Sequence, residues 1–121
     1  MIDLNNKAFI TKSNTSNGDT NSETVFLYKQ SGNYVTAEYK GGTIKSGRLS
    51  GTLDSNGFLE MQYHHTNKEN KLLTGICHSK IEIMETGKIR IIEDWQWTCR
   101  DYSKGRSILE EIDPTIYHEA N

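Results

Sequence analysis

Residues 74–98 read TGICHSKIEIMETGKIRIIEDWQWT. Two alternating runs meet at Glu85-Thr86-Gly87, and short glycine-containing links of this kind close β-hairpins. With that link as the loop, Ile83 faces Ile89, Ile81 faces Ile91, Ser79 faces Glu93, Cys77 faces Trp95 and Gly75 faces Trp97. Side chains alternate between the two faces of a strand, so this register gathers the apolar residues on one face.

The same test extends upstream. A loop at Ser55-Asn56-Gly57 sets Leu53 against Leu59, Gly51 against Met61 and Leu49 against Tyr63. A loop at Lys68-Glu69-Asn70 sets Tyr63 against Gly75 and Met61 against Cys77. All three registers place the same residues, with Leu73, on one apolar face, and Gly51 and Gly75 leave space beside large neighbours. The opposite face carries Arg48, Ser50, Thr52, Glu60, Gln62, His64, Lys80, Glu82, Lys88, Arg90, Asp94 and Gln96, and is solvated. A hairpin at Gly41-Gly42 would pair Tyr39 with Ile44 but switch the apolar side near Gly47, which predicts a bulge or bend at Gly47.

Strands are predicted at 7–11, 24–29, 33–40, 43–54, 58–66, 71–84, 88–98 and 106–112. The turn glycines Gly32, Gly57 and Gly87 recur as hairpin signals. The links are too short for parallel crossovers, which need about a dozen residues. With one apolar face and no long helix, the sheet must cover itself. The expected fold is all-β: an antiparallel up-and-down meander of about eight strands. It closes into a small barrel of calycin or lipocalin type, or forms a strongly curved sheet.

Composition agrees. The 121 residues include only three alanines (Ala8, Ala37, Ala120), one proline, and 12 each of isoleucine and threonine. Alanine is the best helix former, whereas β-branched residues suit pleated surfaces. One domain spans 1–121. Residues 1–22 hold a weak first strand and a polar mobile loop. The tail, 113–121, forms a helical turn after an Asp113 cap or frays. In the loop, Asp19, Asn21 and Glu23 alternate like the start of a calcium loop, but no glycine follows at the sixth position.

The net charge is −2 and the 14 basic residues are scattered among 16 acids, so nucleic acid is not an expected partner. No apolar run of about 18 residues predicts a membrane span. With two cysteines and no signal-peptide pattern, a reducing cytoplasm is expected. Cys77 and Cys99 fall about 13 Å apart in register, too far for a disulfide. No cofactor or metal is expected, and the chain is read as a monomer or homodimer.

Glu93 breaks the apolar face between Ile91 and Trp95. A buried carboxylate needs a partner or a raised pKa. It reads either as a polar anchor in a ligand cavity walled by Trp95, Trp97 and Tyr63, or as a residue satisfied by Ser79 and an arginine such as Arg48 or Arg106. His65 ends the same face as a rim residue, and Glu110 or Glu111 approaches Trp95 or Glu93 depending on the last turn. The candidate ligand-binding residues are therefore Glu93, Trp95, Trp97, Tyr63, His65, Arg48 and Glu110, with no catalytic residue. A cavity of about 300 Å³ or more around Trp97 would suit a ligand. On the polar face the registers align Glu60, His78 and Asp94, a row that titrates, binds a metal weakly or simply pairs charges.

Several segments resemble a family of short bacterial proteins, many of which carry the label N-acetylglutamate synthase. They are Glu23-Thr24-Val25-Phe26, Thr36-Ala37-Glu38-Tyr39 with Gly41-Gly42, Thr74-Gly75-Ile76-Cys77, Gly87-Lys88-Ile89-Arg90 and Glu93-Asp94-Trp95-Gln96-Trp97-Thr98. The label implies an acetyl-CoA-dependent acetyltransferase. In such enzymes a glycine-rich loop at a helix start cradles pyrophosphate. The glycines here open no helix, so no catalytic residue carries over. The expected functions are non-catalytic binding of a small, partly apolar ligand; an interaction module using a sheet edge or the Glu60–His78–Asp94 face; or the acetyltransferase of the label.

Overall fold

A computed structural model describes residues 2–113. Its eight strands are β1 (Lys7–Asn14), β2 (Val25–Ser31), β3 (Tyr34–Gly41), β4 (Ile44–Leu53), β5 (Phe58–Asn67), β6 (Leu72–Ile83), β7 (Ile89–Trp97) and β8 (Lys104–Ile112). Each pairs antiparallel with the next, and β8 returns to pair with β1, closing an up-and-down barrel. The curved open sheet is thereby excluded. So is an interaction module working through a free edge, since closure pairs every strand on both sides.

The three registers read from sequence are the registers observed, from Leu53↔Leu59 through Met61↔Cys77 to Gly75↔Trp97. Gly32, Gly57 and Gly87 sit in the turns with φ of 61°, 84° and 87°, where a side chain would be strained. All three turns lie at one end of the barrel, with the chain start. The links 15–24, 42–43, 68–71 and 98–103 lie at the other end.

The bulge falls two residues before its expected place. Tyr39 pairs with Gly47 rather than Ile44, and both neighbours of β4 shift register around Lys45. The extra residue lets Ile44 point inward on one side of the bulge while Gly47, Leu49 and Leu53 point inward on the other. Gly51 does not leave room for a neighbouring side chain as expected. It lets the β5 backbone at Glu60–Met61 approach where a Cβ would stand. At the end of the apolar face Ile83 is exposed.

The first strand continues to Asn14, beyond the expected Thr11, with a register shift at Lys12. Residues 15–24, read from composition as a mobile polar loop, form a strap bonded across the barrel mouth. The expectation of a helical turn or frayed tail beyond Asp113 lies outside the described residues. Cys77 is buried, and both cysteines are free.

Candidate ligand site

The upper interior is built by an aromatic-on-glycine repeat. Tyr39 of β3 lies over Gly47 of β4, Tyr63 of β5 over Gly75 of β6, and Trp95 of β7 over Gly105 of β8. In each case ring and glycine are ladder partners on adjacent strands. A Cβ at any of these glycines would occupy the ring's place, so the glycines let large rings lie flat against the wall. The rings then meet each other. Trp95 and Trp97 pack edge to face at 5.5 Å, and Tyr63 meets Trp97 at 6.0 Å. Phe26 stacks on Tyr39 at 4.8 Å.

The strap closes this chamber with polar bonds. The Trp95 indole N–H donates to Asn14 Oδ1 at 3.0 Å, and the Trp97 indole N–H donates to the Asn17 carbonyl at 3.1 Å. His65 is buried beneath the strap rather than standing on the rim. Its Nε2 lies 3.0 Å from Asp19 Oδ2, and its Nδ1 lies 2.9 Å from the Tyr39 hydroxyl. The His65 hydrogen bond, more than the charges of His65 and Arg100, holds the Asp19 carboxyl below its ordinary range. Arg100 lies 3.7 Å from Asp19 Oδ1, and its guanidinium covers the Trp97 ring at 4.9 Å.

Glu93 points into the barrel and is buried, with 6% of its surface exposed. Its one hydrogen bond from a described residue comes from Ser107 Oγ to Oε1, at 2.7 Å. Burial raises its pKa from 4.5 to about 7, and the Ser107 bond opposes that rise. Neither expected arginine reaches it. Arg48 is an outward residue paired with Glu38 at 2.7 Å, and Arg106 is paired with Asp94 on the outer surface at 2.7 Å. Ser79 is Glu93's ladder partner on β6, but its hydroxyl turns to the Cys77 sulfur. Glu110 is also outside, bridged to Arg90 at 3.3 Å. Glu111 reaches the Ile89 backbone N–H and Lys7 instead of the interior.

Of the seven candidate residues, Glu93, Trp95, Trp97, Tyr63 and His65 converge on one cavity, whereas Arg48 and Glu110 are excluded by strand parity. Sequence reading missed Ser107, Tyr39, Asn14 and Asp19, which line the same space. With the strap in place that space is about 40 Å³, room for a few water-sized groups rather than the expected 300 Å³. The surface row Glu60–His78–Asp94 is aligned as expected and continues to Arg106. His78 pairs with Glu60 at 3.3 Å, and the Arg106 hydrogen bond lowers the Asp94 carboxyl. Among the described residues no group of side chains could hold a metal ion, and no helix is long and apolar enough to cross a membrane.

With fold and site in hand, the chain can be placed. It belongs to the avidin-like protein family, whose model matches residues 2–112 and so takes in every strand of the barrel. No curated protein and no solved structure matches it.

Proposed function

We propose that the protein binds a small, partly apolar ligand, without catalysis, in the aromatic half of the barrel beneath the strap. The observation that carries this reading is Glu93, a buried carboxylate with one hydrogen bond from a described residue, facing a cavity lined by indole and phenol rings. A barrel that needed only a stable core would gain by an apolar residue there, because a buried carboxylate costs several kcal/mol without compensating partners. Eight-stranded barrels have interiors just wide enough to be filled by side chains or to hold one small ligand, and membership of the avidin-like family is consistent with the second use.

The strap supplies the missing volume. Gly18, Asp19 and Thr20 of the strap line the cavity from above, so a ligand larger than a few atoms enters as this segment lifts. Lifting frees the Trp97 indole N–H donor now satisfied by the Asn17 carbonyl, and it turns to the ligand. The acetyltransferase reading is not favoured, since no described glycine cluster opens a helix. The surface-interaction reading rests on a charge row whose members are already paired.

Both tryptophans stand in the site, so intrinsic fluorescence reports occupancy directly. Titration with a panel of small metabolites, biotin among them because streptavidin holds it in a barrel of this size, is expected to give a saturable change for at least one compound. That change should weaken at least tenfold in Trp97→Phe, which keeps an aromatic ring but loses the indole donor. A panel that leaves the fluorescence unchanged overturns the reading.

A further inference from the structure

Granting a ligand in this cavity, we propose that it is an organic amine, its protonated nitrogen seated against the Glu93 carboxylate and enclosed by the rings of Trp95, Trp97, Tyr63 and Tyr39. The inference rests on the ligand-binding reading and adds the chemical class.

The charges of the barrel divide sharply by side. The arginines of the wall pair outside it: Arg48 with Glu38, Arg90 with Glu82 and Glu110, Arg106 with Asp94. Arg100 lies over the Trp97 ring and beside Asp19, and is not among the residues lining the cavity. No described lysine or arginine lines the cavity, so none of them is a cationic partner for Glu93. Phe26, Tyr39, Tyr63, Trp95 and Trp97 line it, and aromatic faces carry negative potential and attract cations. An anionic ligand would meet repulsion from both carboxylate and rings. A neutral one would leave the buried charge uncompensated. An ammonium group answers both, with donors for the Oε2 that takes no hydrogen bond from a described residue and a charge for the ring faces. The 40 Å³ admits the head of such a molecule, and its remainder lies where the strap now sits.

The groups facing Glu93 leave its titration simple. Burial first, with the Glu93 charge adding to it, holds the Tyr28, Tyr39 and Tyr63 phenols and the Cys77 thiol above their ordinary ranges, so all four are neutral at physiological pH. Thr11 and Ser107 contribute hydroxyls. On the strap side stand His65 and Asp19, bonded to each other, and Arg100 beyond them. With Glu93 titrating at about 7, an ammonium ligand captures only the ionised form, so its affinity rises about tenfold between pH 6 and pH 8. A neutral ligand accepting a hydrogen bond from the protonated acid would weaken over the same interval.

The test uses the full chain with methyl- through hexylammonium chlorides and the n-alcohols of equal length, followed by fluorescence and calorimetry at pH 6, 7 and 8. Primary alkylamines stay protonated throughout, as lysine does. Saturable binding of an alkylammonium is expected, with the tenfold pH dependence and at least tenfold loss in Glu93→Gln. That variant keeps the side-chain shape, and a thermal melt verifies that it is folded. Alcohols binding as tightly as amines, affinity flat or falling with pH, or full binding by Glu93→Gln each overturn the amine assignment while sparing the ligand-binding reading. Silence from amines while a neutral metabolite of the wider panel binds does the same. Silence from amines, alcohols and the whole panel removes both.

Discussion

Below Glu93 the barrel is filled by Val35, Leu59, Ile81, Ile91 and Leu109, all buried and all without a polar atom in the side chain. Above it, Tyr39, Tyr63, His65, Trp95 and Trp97 share the space with Asn14 at the end of β1 and Asp19 of the strap. The lower half is sealed by tight hairpins at Gly32, Gly57 and Gly87 and by Leu4, which is wholly buried. The upper half is closed by ten residues held through hydrogen bonds to the His65 and Trp97 ring nitrogens, from the Asp19 side chain and the Asn17 carbonyl. One end is packed by dispersion, which cannot be undone piecemeal. The other is closed by individually modest hydrogen bonds, each worth about 1 kcal/mol net, so it can open locally while the barrel persists. On the proposed reading, stability and ligand binding thus fall to different ends of one sheet.

Truncating the lower core gives the largest effect. Leu59→Ala is expected to cost about 2–5 kcal/mol in denaturant unfolding while leaving the ligand affinity of the folded fraction unchanged. Loss of binding by fully folded Leu59→Ala would mean that the two halves act as one unit.

Glu93→Gln acts in the opposite direction. Because the folded-state pKa is raised from 4.5 to about 7, the parent loses stability as pH climbs through that window, by up to about 3 kcal/mol at pH 8. The variant escapes that loss. It should unfold at higher denaturant than the parent at pH 8 and alongside it at pH 4.5. Equal midpoints at pH 8 would show that Glu93 is better compensated than its single serine bond indicates.

Asp19→Asn is the mildest change. The Asp19 carboxyl is held low mainly by its His65 bond, so its contribution is present at neutral pH and fades as pH falls through the lowered range. The variant should lose about 1 kcal/mol or less. Amide exchange at Gly18 and Thr24, whose N–H groups bond within the strap, should quicken, and ligand entry with it. Unaltered exchange there would place the strap's hold elsewhere, in Asn14 and Asn17.

Alternation and turn chemistry make the barrel legible in the sequence itself. Each hairpin from β4 to β7 carries a link that sets one register, and a one-residue slip would turn every apolar side chain outward. Five of the seven candidate site residues reach the cavity on parity alone. The departures cluster where that logic has no local signal. The link 98–103 turns through Arg100 and Tyr102 at φ of 60° and 59°, with no glycine to mark the place. The β7–β8 register, and with it the Glu93–Ser107 pair, therefore cannot be counted from the turn, and a miscounted turn draws Glu110 inward. The bulge at Lys45 displaces Tyr39 from the predicted pairing for the same reason, since an extra residue leaves no trace in alternation.

Period and turn geometry act within a few residues, so the chain's own pattern sets the antiparallel meander, the face that turns inward and the presence of a carboxylate on it. Folding in three dimensions adds what no local pattern carries. It closes β8 on β1, makes Ser107 the one described donor to Glu93, and lays the polar strap across the mouth on the two indoles. The indole contacts to Asn17 of the strap and Asn14 of β1 join residues 80 and 81 positions apart, which meet only once the barrel's curvature brings its ends together.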